Sequence, residues 1–452
     1  MASKILLINL VGLTRKVISR MPQLNSLMPI DGSLATLSPP LPAVTCTSQA
    51  TLLTGTNPDE HGIVSNGWYF RDTGEVRFWL RSDGLVQGEK IWHAARKRFP
   101  KASVANLFWR FCTHSDCDIT VTERPTYWAT GKKSPDVFCH PGNLRDELVE
   151  KLGEFPLFRF WGPATSIDST QWIADATSHV MKSHDPDLTL TYLPHLDYDL
   201  QKYGPTSSQA EQAIQQVDKV ASDLIRNAKT LGRQVAVVSE YGMTDVSRPV
   251  YLNRHLRQAG FVTVQKAQNG ELLEPSASRA FAACSHQTAH IYVNRPVDLP
   301  SVMKLVESID GVERVLDVHE MKSAGLGHHR SGELFAIAEP GCWFAYPYWL
   351  EDAMAPDFAN CVAIHDKPGH DPVEMFLGSG GKFRAMRRLL QSKLGFRVPL
   401  DVISTDAGLI RGSHGRLPHH TDDSPVILTD WQLSDSEFHM SDVKQIVLNQ
   451  MQ

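Results

Sequence analysis

Thr45, in the stretch "PAVTCTSQATLLTG", stands where a proline-stiffened segment gives way to residues that can be helical. Ser38-Pro39-Pro40-Leu41-Pro42 cannot be helical, because each proline restricts the residue before it. Residues 45–54 can be, with Thr45 as a favoured N-cap and Gly55 as a favoured stop. A hydroxyl at a helix N-terminus meets unpaired N–H groups and the positive end of the helix dipole, which suits it to an anionic phosphate. The plain alternative is that Thr45 only caps. Four other stretches change the odds. "LINLVG" ends a strand with polar Asn9, "YLPHLDYDLQKYGP" carries Asp197 and Gln201, "VVSEYGM" carries Glu240 and Tyr241, and "RGSHGRLP" carries His414. With Thr45, these segments offer oxygen or imidazole ligands beside strand ends, the edge of a sheet where a metal site would form.

Other residues could supplement that set. His195 precedes Asp197 by two positions and shares its face if the strand continues. His365 and His370 lie in the turn-rich "IHDKPGHDP", where Lys367 could also meet a phosphate. His286 and His290, four apart, would pair on a metal only if helical, and β-rich flanks argue against that. Cys112, His114 and Cys117, and the pair Cys139-His140, bring thiol and imidazole together without the spacing of a zinc knuckle. Seven cysteines at irregular spacing fit reduced thiols better than a disulfide framework.

The elements that must position these residues are legible. Apolar runs at 4–11, 103–108, 188–193, 234–239 and 425–429 suggest strands buried on both faces, hence a parallel sheet covered by helices. Ile214, Val217, Ala221, Leu224 and Ala228 fall at spacings of three and four with polar residues between them, and Gly232 follows as a stop. After Met243 the texture changes. Asn269-Gly270 is a hairpin signal, and the following segments read strand, helix, strand, then two strands around a turn. Residues 248–350 are therefore expected to form a smaller α+β insertion between 1–247 and 351–452, the last twenty or so residues being a peripheral tail. The aromatic group Trp343, Phe344, Tyr346, Tyr348 and Trp349 either stacks a substrate ring or simply packs.

At 452 residues with a net charge of −5, the chain has no overall field that would gather nucleic acid or an anionic membrane, so a polyanionic substrate needs local cations. The opening "MASKILLINLVG" reads as a first strand rather than a signal peptide, and no apolar run approaches a membrane span, which makes the cytoplasm the default expectation.

Together these stretches resemble the alkaline phosphatase superfamily, in its nucleotide pyrophosphatase/phosphodiesterase and phosphonoacetate hydrolase branch, over most of the chain. The resemblance implies an alkaline phosphatase-like three-layer α/β/α sandwich with a mostly parallel central sheet and an inserted α+β cap. It implies that Thr45 is the nucleophile and that Asn66, in "HGIVSN", binds a phosphoryl oxygen. Asp197, Gln201 and His414 then correspond to the ligands of one metal, and Asn9, Thr45, Glu240 and Tyr241 to those of a second. Four of these depart from the family's pattern, since Asn9, Gln201, Glu240 and Tyr241 stand where two aspartates and two histidines are expected. An oxygen-rich set favours Mg²⁺ or Mn²⁺ over Zn²⁺, and one or two divalent ions are expected. The implied activity is a metal-dependent phosphohydrolase that cleaves a phosphodiester or pyrophosphate of a small molecule through a phosphorylated Thr45. The alternative is a silent relative that binds a phosphate ligand. A sulfatase is excluded, because Cys46 lacks the proline and arginine of Cys-x-Pro-x-Arg.

Overall fold

The computed structural model describes residues 3–129, 133–268 and 270–452. Asn269, half of the expected hairpin turn, lies outside the described residues, while the strands Val264–Ala267 and Gly270–Leu273 on either side pair antiparallel.

The central sheet has nine strands. Gln234–Val238, Ile5–Leu10, Leu188–Leu193, Val104–Leu107 and Ile119–Glu123 lie side by side and parallel. Ile5–Leu10 is buried along its whole length, which is why its sequence is apolar on consecutive positions rather than alternating. Beyond Gln234–Val238 the sheet departs from the parallel expectation, for Val426–Thr429 runs antiparallel to both of its neighbours. The reason is where the chain enters. Residue 426 pairs with Ser239 at the carboxyl end of its neighbour, so the strand can only run back down the sheet.

Helices Ile167–Ser183 and Ser208–Thr230 pack on each other and on this sheet. The second buries Ile214, Val217, Ala221, Leu224 and Ala228, the stripe expected from spacing, and starts where the Ser207 side chain accepts from the Ala210 N–H. Thr45–Thr54, Ile91–Arg98 and Val443–Gln450 form a separate helical group. The last of these corrects the expectation of a peripheral tail. Val447, Leu448 and Met451 are all buried in the main core, and the Ser3 N–H donates to the Met451 carbonyl oxygen at 3.1 Å. Leu448→Ala should therefore lower the unfolding free energy by about 2–4 kcal/mol, measured as a lower urea midpoint; an unchanged midpoint would return this helix to the periphery.

Above the sheet, Ala280–Ser285, Thr288–Val293, Leu334–Ala338 and Val312–Leu316 make a four-stranded antiparallel sheet. Its core also draws in Leu41, Cys46, Ala50, Ile63 and Trp68 from the early part of the chain. Trp343, Phe344, Tyr346, Tyr348 and Trp349 are all buried in this region, so they pack rather than present a ring to solvent. The hairpin turn after Ser285 carries His286 at φ 60°, which turns its ring toward the carboxyl edge of the main sheet.

Candidate active site

The helix Thr45–Thr54 begins one residue earlier than a Thr45 cap would require. Its N-cap is the extended Val44, which has no side-chain cap, and Thr45 is the first helical residue. The capping bond comes from elsewhere, since the Cys46 N–H donates to Asn66 Oδ1 at 2.9 Å. The Thr45 hydroxyl is thus released from capping and instead lies 3.1 Å from the Tyr241 hydroxyl. Gly55 closes the helix as expected, at φ 71°.

Asp197 and Gln201 occupy one face of the helix His195–Tyr203, a turn apart, and Gln201 Nε2 donates to Asp197 Oδ2 at 2.7 Å. The Tyr241 hydroxyl donates to Asp197 Oδ1 at 3.0 Å, so a hydrogen-bond chain runs from Thr45 through Tyr241 to Asp197. Glu240 Oε1 accepts from Asn9 Nδ2 at 2.6 Å and from Gln49 Nε2 at 2.5 Å. His414 Nδ1 faces the Ala43 carbonyl oxygen at 2.8 Å, which fixes the proton on Nδ1 and leaves Nε2 as a bare lone pair. That Nε2 is buried without a partner, 3.8 Å from Asp197 Oδ1. The His414 ring stacks on Tyr241 with centroids 3.5 Å apart and planes 6° apart.

Burial dominates the electrostatics of the cluster. It raises the Asp197 carboxyl to about 6 against the opposing hydrogen bonds of Gln201 and Tyr241. It raises Glu240 to about 8 against those of Gln49 and Asn9. It lowers His414 to about 3 and keeps Tyr241 a neutral phenol by pushing its pKa well above the usual value.

Three expected residues are not in this cluster. Strand Leu188–Leu193 ends before His195, which starts a helix and turns its ring to Gln216 Oε1 at 3.1 Å. His365 Nδ1 sits 3.2 Å from the Phe78 carbonyl oxygen. Lys367 is locked in a buried ion pair with Asp371 at 2.7 Å and Glu374 at 2.8 Å, so no free ammonium faces a phosphate. In their place come Gln49, which the sequence did not single out, and His286, expected only as half of a helical pair. Gln49, one turn after Thr45 on the same helix, orients Glu240. His286 lies 3.7 Å from the His414 ring and 4.1 Å from that of His370. His290 parts from His286 and bonds the Val64 carbonyl oxygen at 3.0 Å. Cys112, Cys117 and Cys139 are free, and the group Glu147, His179 and His184, whose ligand atoms lie within 4.8 Å of one another, includes none of them.

Whether the cluster suits a divalent cation is decided by its unpaired atoms. His414 Nε2 and Gln201 Oε1 are both buried and unpartnered around the Asp197 carboxylate. A lone pair facing a carboxylate oxygen is repulsive unless a cation stands between them, so this imidazole, carboxylate and amide set fits one ion. The second set is different. Asn9 Oδ1 and Glu240 Oε2 are unpartnered, but Tyr241 is a phenol that donates to Asp197 and does not fit as a ligand.

A cavity of about 230 Å³ opens beside Tyr241 and His414 and is also lined by Gln287 and Arg416. Arg416 pairs with Glu313, yet its Nε and Nη1 are buried without partners. The loop between His414 and Arg416 requires glycine. Gly415 has φ 117°, and a Cβ there would stand 3.3 Å from the Gln287 backbone nitrogen.

Comparison with known proteins identifies the family and the fold. A model of the family described as type I phosphodiesterase / nucleotide pyrophosphatase matches residues 5–371. An uncharacterised pyrophosphatase/phosphodiesterase of Schizosaccharomyces pombe is 25% identical over 263 residues, 54% of this chain and 46% of that protein. Ectonucleotide pyrophosphatase/phosphodiesterase family member 1 of Mus musculus is 23% identical over 334 residues, 66% of this chain and 33% of that protein. The chain thus spans less than half the length of either relative. Among solved structures, phosphonoacetate hydrolase from Sinorhizobium meliloti with phosphonoacetate superposes with a TM-score of 0.63 at 14% identity, covering 100% of this chain and 96% of that one. Murine ectonucleotide pyrophosphatase/phosphodiesterase 5, inactive and in complex with AMP, gives 0.59 at 13% identity, covering 99% and 95%. The fold is that of these proteins, an α/β/α sandwich of alkaline phosphatase type.

Proposed function

Because the chain belongs to the type I phosphodiesterase/nucleotide pyrophosphatase family, we propose that it hydrolyses a phosphodiester or pyrophosphate bond of a small molecule by attack of Thr45 on phosphorus. The observation that carries this reading is the chain from Thr45 through Tyr241 to Asp197, with His414 Nε2 3.8 Å beyond.

Each residue then has a task set by its surroundings. Tyr241 donates to Asp197, so its oxygen is the acceptor for the Thr45 proton. As Thr45 attacks, that proton passes to Tyr241 while the phenol proton passes to Asp197 Oδ1, along the two hydrogen bonds already in place. Asn66, now bonded through Nδ2 to Ser285 Oγ at 3.3 Å, stands beside the helix N-terminus to donate to a phosphoryl oxygen. Asp197, Gln201 and His414 would hold a divalent cation, and the chemistry it would supply is charge stabilisation at phosphorus. Glu240, buried and fixed by Asn9 and Gln49, sets the field on the other side of Thr45. The phosphorus–oxygen bond to the leaving alcohol or phosphate breaks as the Thr45–phosphorus bond forms, and water then attacks phosphorus, releasing the phosphate monoester and restoring the Thr45 hydroxyl.

Arg416 gives the cavity beside His414 two unsatisfied N–H donors, which suits it to an anionic group beyond the scissile bond. Arg416→Ala should raise KM by about tenfold with a smaller change in kcat, because the contact is made equally in ground and transition states. A fall in kcat at constant KM would remove Arg416 from substrate binding. The reading as a whole is tested by turnover of bis(p-nitrophenyl) phosphate in the presence of Mg²⁺, Mn²⁺ or Zn²⁺. A protein that binds phosphate ligands without Thr45-dependent turnover would instead be a silent relative.

A further inference from the structure

Between Glu374 and Asp401 the chain carries six cations and no anion, a local excess that the net charge of −5 averages away. The segment leaves the body at one place. Leu377 bridges Ile403, the Gly378 N–H donates to the Val402 carbonyl oxygen at 2.9 Å, and the Ser404 N–H to that of Phe376 at 3.0 Å. Within the projecting unit lies the helix Gly381–Lys393.

One side of this helix is tied down. Arg388 forks onto the Asp401 carboxylate at 2.7 and 2.9 Å, and Arg384 Nη1 donates to the Asp401 carbonyl oxygen at 3.0 Å. At 100° per residue, the positions of Phe383, Met386, Leu390 and Leu394 centre roughly 135° round from that anchored side. These four are 69%, 63%, 59% and 68% exposed, far more than isolated surface hydrophobics need be. Lys382, Arg387 and Lys393 border the stripe and make no ion pair among the described residues.

We propose that the helix Gly381–Lys393 and the turn after it dock the protein on an anionic phospholipid surface, the apolar stripe entering the headgroup boundary and the bordering cations reaching lipid phosphates. Long basic side chains beside an exposed stripe of Phe, Met and Leu have the geometry of an interfacial helix, with stems along the acyl boundary and charged heads in the phosphate layer. Charge complementarity selects this occupant over a second copy of the chain. An isologous pairing through the stripe would bring Lys382, Arg387 and Lys393 of both copies together, with no carboxylate in the segment to offset them but the already engaged Asp401. The helix is docked, not inserted, for no helix among the described residues is long and apolar enough to cross a membrane.

Co-sedimentation of the full chain with vesicles tests this. Wild type should pellet with phosphatidylcholine vesicles containing phosphatidylserine, stay in solution with phosphatidylcholine alone, and be released by salt. Lys382→Glu with Arg387→Glu should weaken binding by at least about fivefold per cation. Phe383→Glu with Leu390→Glu should abolish it even at low salt. Both variants should melt at the wild-type temperature, since they alter only exposed positions. Failure of wild type to bind the anionic vesicles, equal binding to neutral ones, or full binding by the apolar variant would overturn the proposal. So would a wild-type dimer that the apolar variant converts to monomer, which would assign the face to a second copy.

Discussion

Thr45→Ala lowers kcat for bis(p-nitrophenyl) phosphate by at least about a thousandfold and leaves the melting temperature within about 2 °C of wild type. The two halves of this expectation separate a nucleophile from a cap. Loss of a capping hydroxyl costs about 1 kcal/mol of stability and no chemistry. Here the cap position is Val44 and the first free N–H is satisfied by Asn66, so alanine at the first helical position removes no helix bond. What it removes is the oxygen held 3.1 Å from Tyr241. Thr45→Ser should keep much of the turnover, because the oxygen remains. Tyr241→Phe should cost about a hundredfold, the range for losing a positioned proton acceptor. Acid quenching during turnover should trap a phosphorus adduct on the peptide containing Thr45. A stable, fully active Thr45→Ala enzyme, or one destabilised but active, would remove Thr45 from the chemistry.

The parts of this arrangement that sequence revealed share one property: the signal is local and periodic. Consecutive burial marks Ile5–Leu10 and Leu188–Leu193 as central strands, and ligands collect at their carboxyl ends because side chains there escape the packed helices. Asp197 and Gln201 announce their shared face by a four-residue interval. What escaped was decided by long-range packing. Nothing near residue 195 tells whether the strand continues or a helix begins, and that choice swings the His195 ring toward Gln216. Lys367 looks like a free cation until Asp371 and Glu374 fold over it, and His286 looks like half of a helical pair until a hairpin reverses the chain at φ 60°. The strand Val426–Thr429 is indistinguishable by composition from its parallel neighbours, because direction depends on the edge from which the chain arrives. The closing helix Val443–Gln450 carries a short stripe of apolar positions, too brief to separate a buried element from a frayed end.

Stripping divalent cations with a chelator should abolish turnover, by at least about a hundredfold, and the effect on stability should carry a specific dependence on pH. Without a cation, burial raises the Glu240 carboxyl from 4.5 to about 8 and Asp197 from 3.8 to about 6. The native state then holds protons that the unfolded chain has released above its ordinary carboxylate range. Each raised carboxyl contributes stability that is complete below the unfolded value and is lost as pH climbs through the folded one. Buried His414, held well below its ordinary value, works in the opposite sense as pH climbs through the unfolded imidazole range, so the carboxyl effect is read as a difference: from about pH 5.5 to about pH 8.5 the chelated wild type should lose a few degrees relative to chelated Glu240→Gln. Glu240→Gln keeps a polar group of the same shape without the titration, so the histidine contributions are common to both proteins and cancel in that difference. Cation binding competes with the protons, so the thermal shift on adding Mn²⁺ should grow as pH rises. Asp197→Asn or His414→Ala should shrink it at every pH, because these residues surround the unpaired imidazole nitrogen that fits an ion. A chelated wild type whose melting profile parallels that of Glu240→Gln would mean that the Glu240 carboxyl is solvated or paired in a way this geometry does not contain. An Mn²⁺ shift untouched by both substitutions would place the cation somewhere other than beside Thr45.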